Sequence, residues 1–348
     1  MKRHRMGKRL LLLPVVLPAI YLAFYGSYYI EGSAVHAEDI LKEISIPYPA
    51  VIAHRGASIV APESTRPAYE VARDLGVGYF EADLQRTADG RIVVFHDATL
   101  ERTSNVEQVF PDRVDDEIGN FTLEELKQLE YGSWFHPEFE GLDILTLEEL
   151  IEIARAGDWT PGLILESKHP YKYPGIEEDI VSILRENRWI PDGPPGHRIE
   201  QEYRASMSSA DDPATSVLPA ADHTKTIFFS FSLNSLREFK RLAPTKPRLL
   251  LVADNTISRR QWLTWLDIAE PIAHGIGPKG FMAWPWHIAA AHNRGLFVFP
   301  YTINYLWQVQ VLSRFQAAGF ITDRPEVVID FLNGINGITA GEIRGADP

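Results

Sequence analysis

The chain has 348 residues, enough for one large barrel or two modest domains with a sizeable core. Its 34 Lys plus Arg against 47 Asp plus Glu leave a formal net charge of −13, which argues against a nucleic-acid partner, because a phosphate-backbone binder needs a basic footprint. Hydrophobic content of 45% is that of a globular chain, and the lack of cysteine excludes disulfides, thiolate metal sites and a cysteine nucleophile, so any metal must sit on oxygen or imidazole.

At the N-terminus, Lys2, Arg3, Arg5, Lys8 and Arg9 precede an uncharged, mostly apolar run from Leu10 to Ile30, close to the length that spans a bilayer. This pattern predicts a membrane address over residues 1–37, with everything after Glu31 outside the cytoplasm because positive charge stays inside. Val35, His36 and Ala37 offer small residues at plausible cleavage positions. Two readings therefore stand open: a retained anchor bearing an extracytoplasmic catalytic domain, or a cleaved signal peptide that leaves a secreted or periplasmic one.

Short apolar runs then recur between helical patterns: Ala50 to His54, Tyr79 to Leu84, Leu163 to Glu166, Ile227 to Phe231, Arg248 to Val252, Ile272 to Ile276, Leu296 to Tyr301 and Gly319 to Thr322. Amphipathic stretches such as Arg66 to Leu75, Leu147 to Ala156, Ile176 to Glu186, Leu233 to Leu242 and Trp286 to Arg294 connect them. Eight strands alternating with helices predict an α/β fold of the TIM type, a (β/α)8 barrel over residues 47–335. Residues 201–225, rich in Ser, Ala, Asp and Pro, read as an exposed loop.

A ninth run, Arg91 to His96, follows the second strand after only Thr87-Ala88-Asp89-Gly90, too short for a parallel crossover. Asp-Gly predicts a tight hairpin centred on Ala88 and Asp89, which places His96 across from Glu81 and Val94 across from Asp83. The polar stretch of about 98–145 reads as an insertion above the barrel mouth, with Thr122 and Glu125 as a capping box that opens a short helix.

Polar clusters close the predicted strands at the end where barrel enzymes build their sites. His54-Arg55-Gly56 ends the first strand, Glu81-Ala82-Asp83 the second, His96-Asp97 the hairpin arm and Glu166-Ser167-Lys168 the third parallel strand. Period two puts Glu81 and Asp83 on one face. Three carboxylates without thiols suit a hard divalent cation, Mg²⁺ or Ca²⁺. Two histidines beside such an ion suit general acid and base work, Arg55 offers a planar fork to a phosphate, and Gly56 permits close backbone approach.

These residues resemble the glycerophosphodiester phosphodiesterase family, barrel enzymes related in architecture to phosphoinositide-specific phospholipases C. The matching stretches are His54-Arg55-Gly56-Ala57, Ala61-Pro62-Glu63-Ser64-Thr65, Glu81-Ala82-Asp83, Thr87 with Asp89-Gly90, Val93-Val94-Phe95-His96-Asp97 and Glu166-Ser167-Lys168. Weaker matches continue through Ser230-Phe231, Gly275-Ile276-Gly277-Pro278 and Tyr301-Thr302-Ile303-Asn304 to Gly319-Phe320-Ile321-Thr322-Asp323-Arg324-Pro325. The resemblance implies that His54 and His96 are the acid–base pair, that Glu81, Asp83 and Glu166 hold the cation, that Arg55 and Lys168 steady the phosphate and that Glu63 supports the metal or substrate region. Ser64 stands where the family usually has Asn, and Tyr301 where it usually has Trp.

The expected activity is metal-dependent hydrolysis of a small-molecule glycerophosphodiester to glycerol 3-phosphate and an alcohol. The N-terminal segment and the aromatics Trp284, Trp286, Tyr305 and Trp307 also suggest a phospholipase D-like or phosphoinositide-cleaving enzyme that acts on intact membrane lipids. A noncatalytic anchored binding protein is a third reading. Paired carboxylates at barrel strand ends also occur in glycosidases, but two histidines and an arginine point elsewhere.

Overall fold

The computed structural model describes residues 35–191, 225–253 and 258–337. Ten strands follow one another along them: β1 (Ala50–His54), β2 (Tyr79–Arg86), β3 (Ile92–Val94), β4 (Leu145–Thr146), β5 (Gly162–Ser167), β6 (Thr226–Ser230), β7 (Arg248–Val252), β8 (Gly275–Pro278), β9 (Phe297–Val298) and β10 (Gly319–Thr322). Neighbours along the path β10-β1-β2-β5-β6-β7-β8-β9 all run parallel. The ring closes where the Ala318 N–H donates to Val298 O at 3.0 Å and the Ile321 N–H donates to Pro300 O at 3.2 Å. The fold is thus a (β/α)8 barrel, with β3 and β4 attached antiparallel to β2.

Alternation along each strand builds two cores. Ile52, Tyr79, Ile164, Ile227, Phe229, Leu249, Leu251, Phe297, Phe299 and Ile321 pack inside the barrel. Their neighbours Val51, Ala53, Phe80, Ala82, Leu84, Leu163, Leu165, Phe228 and Leu250 face outward, under the helices. Both faces of a parallel barrel are buried, which explains strands of continuous apolar character. Ala37, Ile40 and Leu41 of the helix Ala37–Glu43 join the inner cluster.

The same parity decides where the acids go. On β2, Tyr79 points inward, so Glu81 and Asp83 do too; on β5, inward Ile164 is followed by inward Glu166; on β1, inward Ile52 is followed by His54. Register then sets His54 beside Glu81 and Asp83 beside Glu166 on adjoining strands.

The predicted hairpin forms, but one residue out of the expected register. Val94 pairs with Leu84 and Ile92 with Arg86, so Val94 does not face Asp83 and His96 does not face Glu81. The cause lies in the turn. The Thr87 N–H donates to Arg91 O at 2.9 Å, the Thr87 Oγ1 accepts from the Arg91 N–H, and Gly90 takes φ 82°, so the loop holds one more residue than a two-residue hairpin. The corrected register sets Val94 beside outward Leu84 and spares an apolar side chain from facing a carboxylate. β8 starts at Gly275 rather than Ile272, because Ile272 and Ala273 wind onto the preceding helix by donating their N–H groups to Ala269 O.

Between β3 and β4 the chain runs through short helical turns, including Leu123–Leu126 with the Thr122/Glu125 capping box. The loop read over residues 201–225 lies outside the described residues except for its last position.

The exported, membrane-anchored reading is corrected. Crossing a bilayer takes about 20 apolar residues in a helix, whereas the longest described helix, Pro325–Gly337, has 13. No helix among the described residues is long and apolar enough to cross a membrane. The run from Leu10 to Ile30 that carried the expectation lies outside them, so the structure gives neither anchoring nor export any support.

Candidate active site

Glu81, Asp83 and Glu166 are almost fully buried, and one carboxylate oxygen from each lies within 4.8 Å of the others. Three negative charges in that space without a counterion repel one another. Burial, and next the Asp83 charge, push Glu81 well above the usual carboxylate range; the same causes in the same order push Glu166 up to about 8. Burial would raise Asp83 as well, but Lys168, Arg55 and the two histidines outweigh it and hold Asp83 well below that range. Asp83 Oδ2 is buried without a hydrogen bond. An all-oxygen trio with an orphaned carboxylate oxygen, unable to ionise completely alone, fits a hard divalent cation.

Two cations border the trio. Lys168 Nζ lies 3.1 Å from Glu166 Oε1 and 3.4 Å from Asp83 Oδ1. Arg55 Nε lies 3.1 Å from Asp83 Oδ2, an ion pair without hydrogen-bond alignment, and Arg55 Nη1 donates to Glu63 Oε1 at 2.9 Å. Glu63 stands apart from the acidic trio and bears on the site through Arg55. Burial works against the Arg55 charge, but Asp83, Glu63 and Glu81 prevail and hold it above its ordinary range.

The Arg55 backbone takes φ 57°, a left-handed conformation that costs a non-glycine residue on the order of 1–3 kcal/mol. It is held there by the Arg55 N–H, which donates to Glu81 Oε2 at 2.8 Å, and by Arg55 O, which accepts from the Ser64 N–H at 2.9 Å. Gly56 follows at φ 87°, and a Cβ on it would meet the Ala68 carbonyl carbon at 2.6 Å. The close approach expected of this glycine is therefore to a helix backbone, where the Ala57 N–H donates to Ala68 O at 2.9 Å.

Each histidine is tied by one nitrogen to an aspartate. His54 Nδ1 donates to Asp323 Oδ1 at 2.6 Å, and His96 Nδ1 donates to Asp97 Oδ1 at 2.6 Å. Both acids sit below the usual carboxylate range: burial opposes this in each case, and hydrogen bonds led by the paired imidazole outweigh it. An ionised partner fixes the proton on Nδ1 and leaves Nε2 as the exchangeable position. His54 Nε2 lies 4.0 Å from Glu81 Oε2. Asp323 is itself positioned by Asn304 Nδ2, which donates to Oδ2 at 2.6 Å, and by Ser58 Oγ, which donates to Oδ1 at 3.2 Å.

His54, Arg55, Glu81, Asp83, His96, Glu166 and Lys168 line one wall of a cavity of about 140 Å³, and Phe229, Phe231, Leu251, Tyr301 and Ile321 line the other. Seven of the eight residues singled out from the sequence thus meet in one cavity, with Glu63 behind them. Sequence reasoning assigned no role to Asp323, Asn304, Ser58 or Arg102. Asp323 was within reach: barrel closure pairs Ala53 with Thr322, which makes His54 and Asp323 neighbours at the ends of β1 and β10.

The sequence matches the glycerophosphoryl diester phosphodiesterase family over residues 54–181 and 193–327. The chain belongs to this family. It is similar to a glycerophosphodiester phosphodiesterase of Caldanaerobacter subterraneus subsp. tengcongensis, 29% identical over 282 residues that cover 81% of this chain and 97% of that one. A Bacillus subtilis glycerophosphodiester phosphodiesterase is also 29% identical, over 79% of this chain and 84% of its own. Among solved structures, an Oleispira antarctica phosphodiesterase in complex with the product sn-glycerol-3-phosphate matches with a TM-score of 0.60 and 26% identity, covering 82% of this chain and 97% of that one. A glycerophosphodiester phosphodiesterase from Agrobacterium tumefaciens shares the fold at a TM-score of 0.57 with 21% identity, covering 81% and 99%.

Ser64 occupies a left-handed position at φ 60°, a region that Asn, the residue expected there from the resemblance, tolerates better than Ser. Tyr301 lines the cavity with its Oη donating to Val252 O at 3.1 Å and its ring edge-on to Phe231.

Proposed function

We propose that this phosphodiesterase cleaves glycerophosphodiesters, releasing glycerol 3-phosphate and an alcohol, with His54 and His96 exchanging the protons and Glu81, Asp83 and Glu166 seating a divalent cation. One observation carries the reading: two aspartate-anchored imidazoles face a buried trio of carboxylates within a single cavity. Family membership and the glycerol 3-phosphate bound by the Oleispira antarctica relative support the substrate class.

Bound at the trio, Mg²⁺ or Ca²⁺ would supply Lewis-acid neutralisation of the diester's charge. Arg55 and Lys168 reach the same wall and take phosphate oxygens, which places fixed positive charge where negative charge grows in the transition state. One imidazole removes the proton of the attacking hydroxyl through Nε2, and the other returns a proton to the departing alkoxide. Positioned proton transfer of this kind contributes about 10²- to 10⁴-fold in rate. Asp323 and Asp97 keep both rings in the tautomer the exchange requires. The apolar wall of Phe229, Leu251 and Ile321 excludes water from one side of the phosphate.

The test is release of glycerol 3-phosphate from glycerophosphocholine by the purified chain, after EDTA treatment and again with Mg²⁺ or Ca²⁺ restored. Turnover that survives chelation, or that persists in both His54→Ala and His96→Ala, would end this reading. A cyclic phosphate, released or trapped as an intermediate, would identify the substrate's own glycerol hydroxyl as the first nucleophile, whereas net inversion at a chirally labelled phosphorus would identify direct attack by water.

A further inference from the structure

Arg102 joins two parts of the site that the barrel strands do not connect. It lies just beyond β3, outside the cavity wall. Its Nε donates to Asp97 Oδ2 at 2.5 Å, its Nη1 donates to Glu63 Oε2 at 2.9 Å and its Nη2 donates to Glu63 Oε1 at 2.7 Å. The two acids face inward with their remaining capacity: Asp97 Oδ1 accepts from His96 Nδ1, and Glu63 Oε1 accepts from Arg55 Nη1. An unbroken series of polar contacts thus runs His96, Asp97, Arg102, Glu63, Arg55, Asp83. The guanidinium also lies 5.9 Å from the ring centre of Trp134, whose indole N–H is anchored on Tyr131 O.

The Arg102 side chain is 46% exposed; its bidentate, networked geometry contributes to folding, but at that exposure solvent screening keeps the contribution modest. Geometry points to a further role, since the rigid guanidinium takes both oxygens of Glu63 while its Nε holds Asp97, fixing the two acids in direction as well as distance, which a point-charge ammonium does not. We propose that Arg102 is a positioning residue that sets His96 and Arg55 relative to one another, so that one side chain aligns proton transfer with phosphate capture. The proposal rests on the roles given above to His96 and Arg55.

The experiment is a pair of double-mutant cycles on the full chain, with steady-state hydrolysis of glycerophosphocholine in saturating divalent cation. Asp97→Asn loosens His96 and lowers kcat; Glu63→Gln loosens Arg55 and raises KM; each changes its parameter about tenfold or more. Arg102→Gln does both, with its thermal midpoint close to that of the parent. In the Arg102→Gln background, Asp97→Asn and Glu63→Gln each cost at least about threefold less than in the parent, because the share transmitted through Arg102 is already lost while the direct bonds to His96 and Arg55 remain to be broken. Parent-like kinetics in Arg102→Gln, or effects that simply multiply in the cycles, overturn the proposal.

If Arg102→Gln fails to fold, Arg102→Lys decides. It keeps the charge but not the fork, and parent-like kcat and KM in the folded variant overturn the proposal, whereas loss in either parameter supports it. His96→Ala and Arg55→Ala separate the two levels. Activity in both removes the underlying reading; inactivity in both together with multiplicative cycles removes only the part assigned to Arg102.

Discussion

His54 and Asp323, 269 residues apart in sequence, meet at 2.6 Å because β10 lies beside β1 and closes the barrel. Closure delivers the aspartate, and Asn304 Nδ2 and Ser58 Oγ then hold it against the imidazole. Asp323→Asn keeps the shape but can present an amide N–H to Nδ1, which favours the wrong tautomer. We expect kcat to fall on the order of 10²-fold with little change in KM or in secondary structure. Full kcat in Asp323→Asn would show that the pairing is not needed for turnover.

Glu166 gives a pH dependence with a definite sign. Its carboxyl is pushed up to about 8 by burial and the Asp83 charge, against an unfolded value of about 4.3. Between these values the folded metal-free chain holds a proton that the unfolded chain lacks. The contribution is complete below the unfolded value and is lost as pH rises through about 8. The thermal midpoint of EDTA-treated protein should therefore drop between pH 6 and pH 9, and Glu166→Gln should flatten the drop. Mg²⁺ or Ca²⁺ should raise the midpoint more at pH 9 than at pH 6, since binding must displace that proton. Equal metal-induced shifts at both values would contradict it.

Gly56→Ala meets two penalties at once. The residue holds φ 87°, and a new Cβ would press on the Ala68 backbone at 2.6 Å, which a side-chain rotation cannot relieve. A loss of at least about 2 kcal/mol in chemical denaturation is expected, together with reduced turnover from displacement of Arg55. Gly76→Ala is the control: φ is 78° with nothing within 4 Å, so the conformational penalty of about 1–2 kcal/mol stands alone. Equal losses in the two variants would show that contact with Ala68 is unimportant.

The two imidazoles can be told apart by the leaving group. A p-nitrophenyl diester departs without protonation, so the variant that lacks the acid should recover on it, by about tenfold or more relative to glycerophosphocholine, while the variant that lacks the base should not. Comparing His54→Ala and His96→Ala on both substrates makes the assignment. If neither variant recovers, neither ring protonates the leaving group.

Much of the site was legible because it is built from period-two spacing at strand ends. Glu81, Asp83 and Glu166 follow inward apolar residues in the sequence itself, and parallel pairing brings them together without help from loops. The barrel was legible for the same reason: strands and helices alternate, and their ends at Ala50–His54, Ile176–Glu186 and Leu233–Leu242 are where the apolar pattern puts them. What escaped depends on atoms rather than pattern. The hairpin slip turns on the paired Thr87–Arg91 hydrogen bonds and the left-handed Gly90, and the cradle of Arg102 on a fork reaching two carboxylates separated from it by 39 and 5 residues in sequence. The export reading failed differently, since the basic cluster and apolar run that carried it lie outside the described residues, and no described helix is long and apolar enough to cross a membrane.

The order in which the ribosome delivers these parts has a consequence of its own. His54, Glu81, Asp83, His96 and Glu166 all emerge in the first half of translation, yet the residues that fasten His54, Asn304 and Asp323, are made near its end. A nascent chain can carry nearly every chemical group of the site and still leave its first imidazole untethered. Competence would then arrive in one late step, when the last strand docks against the first.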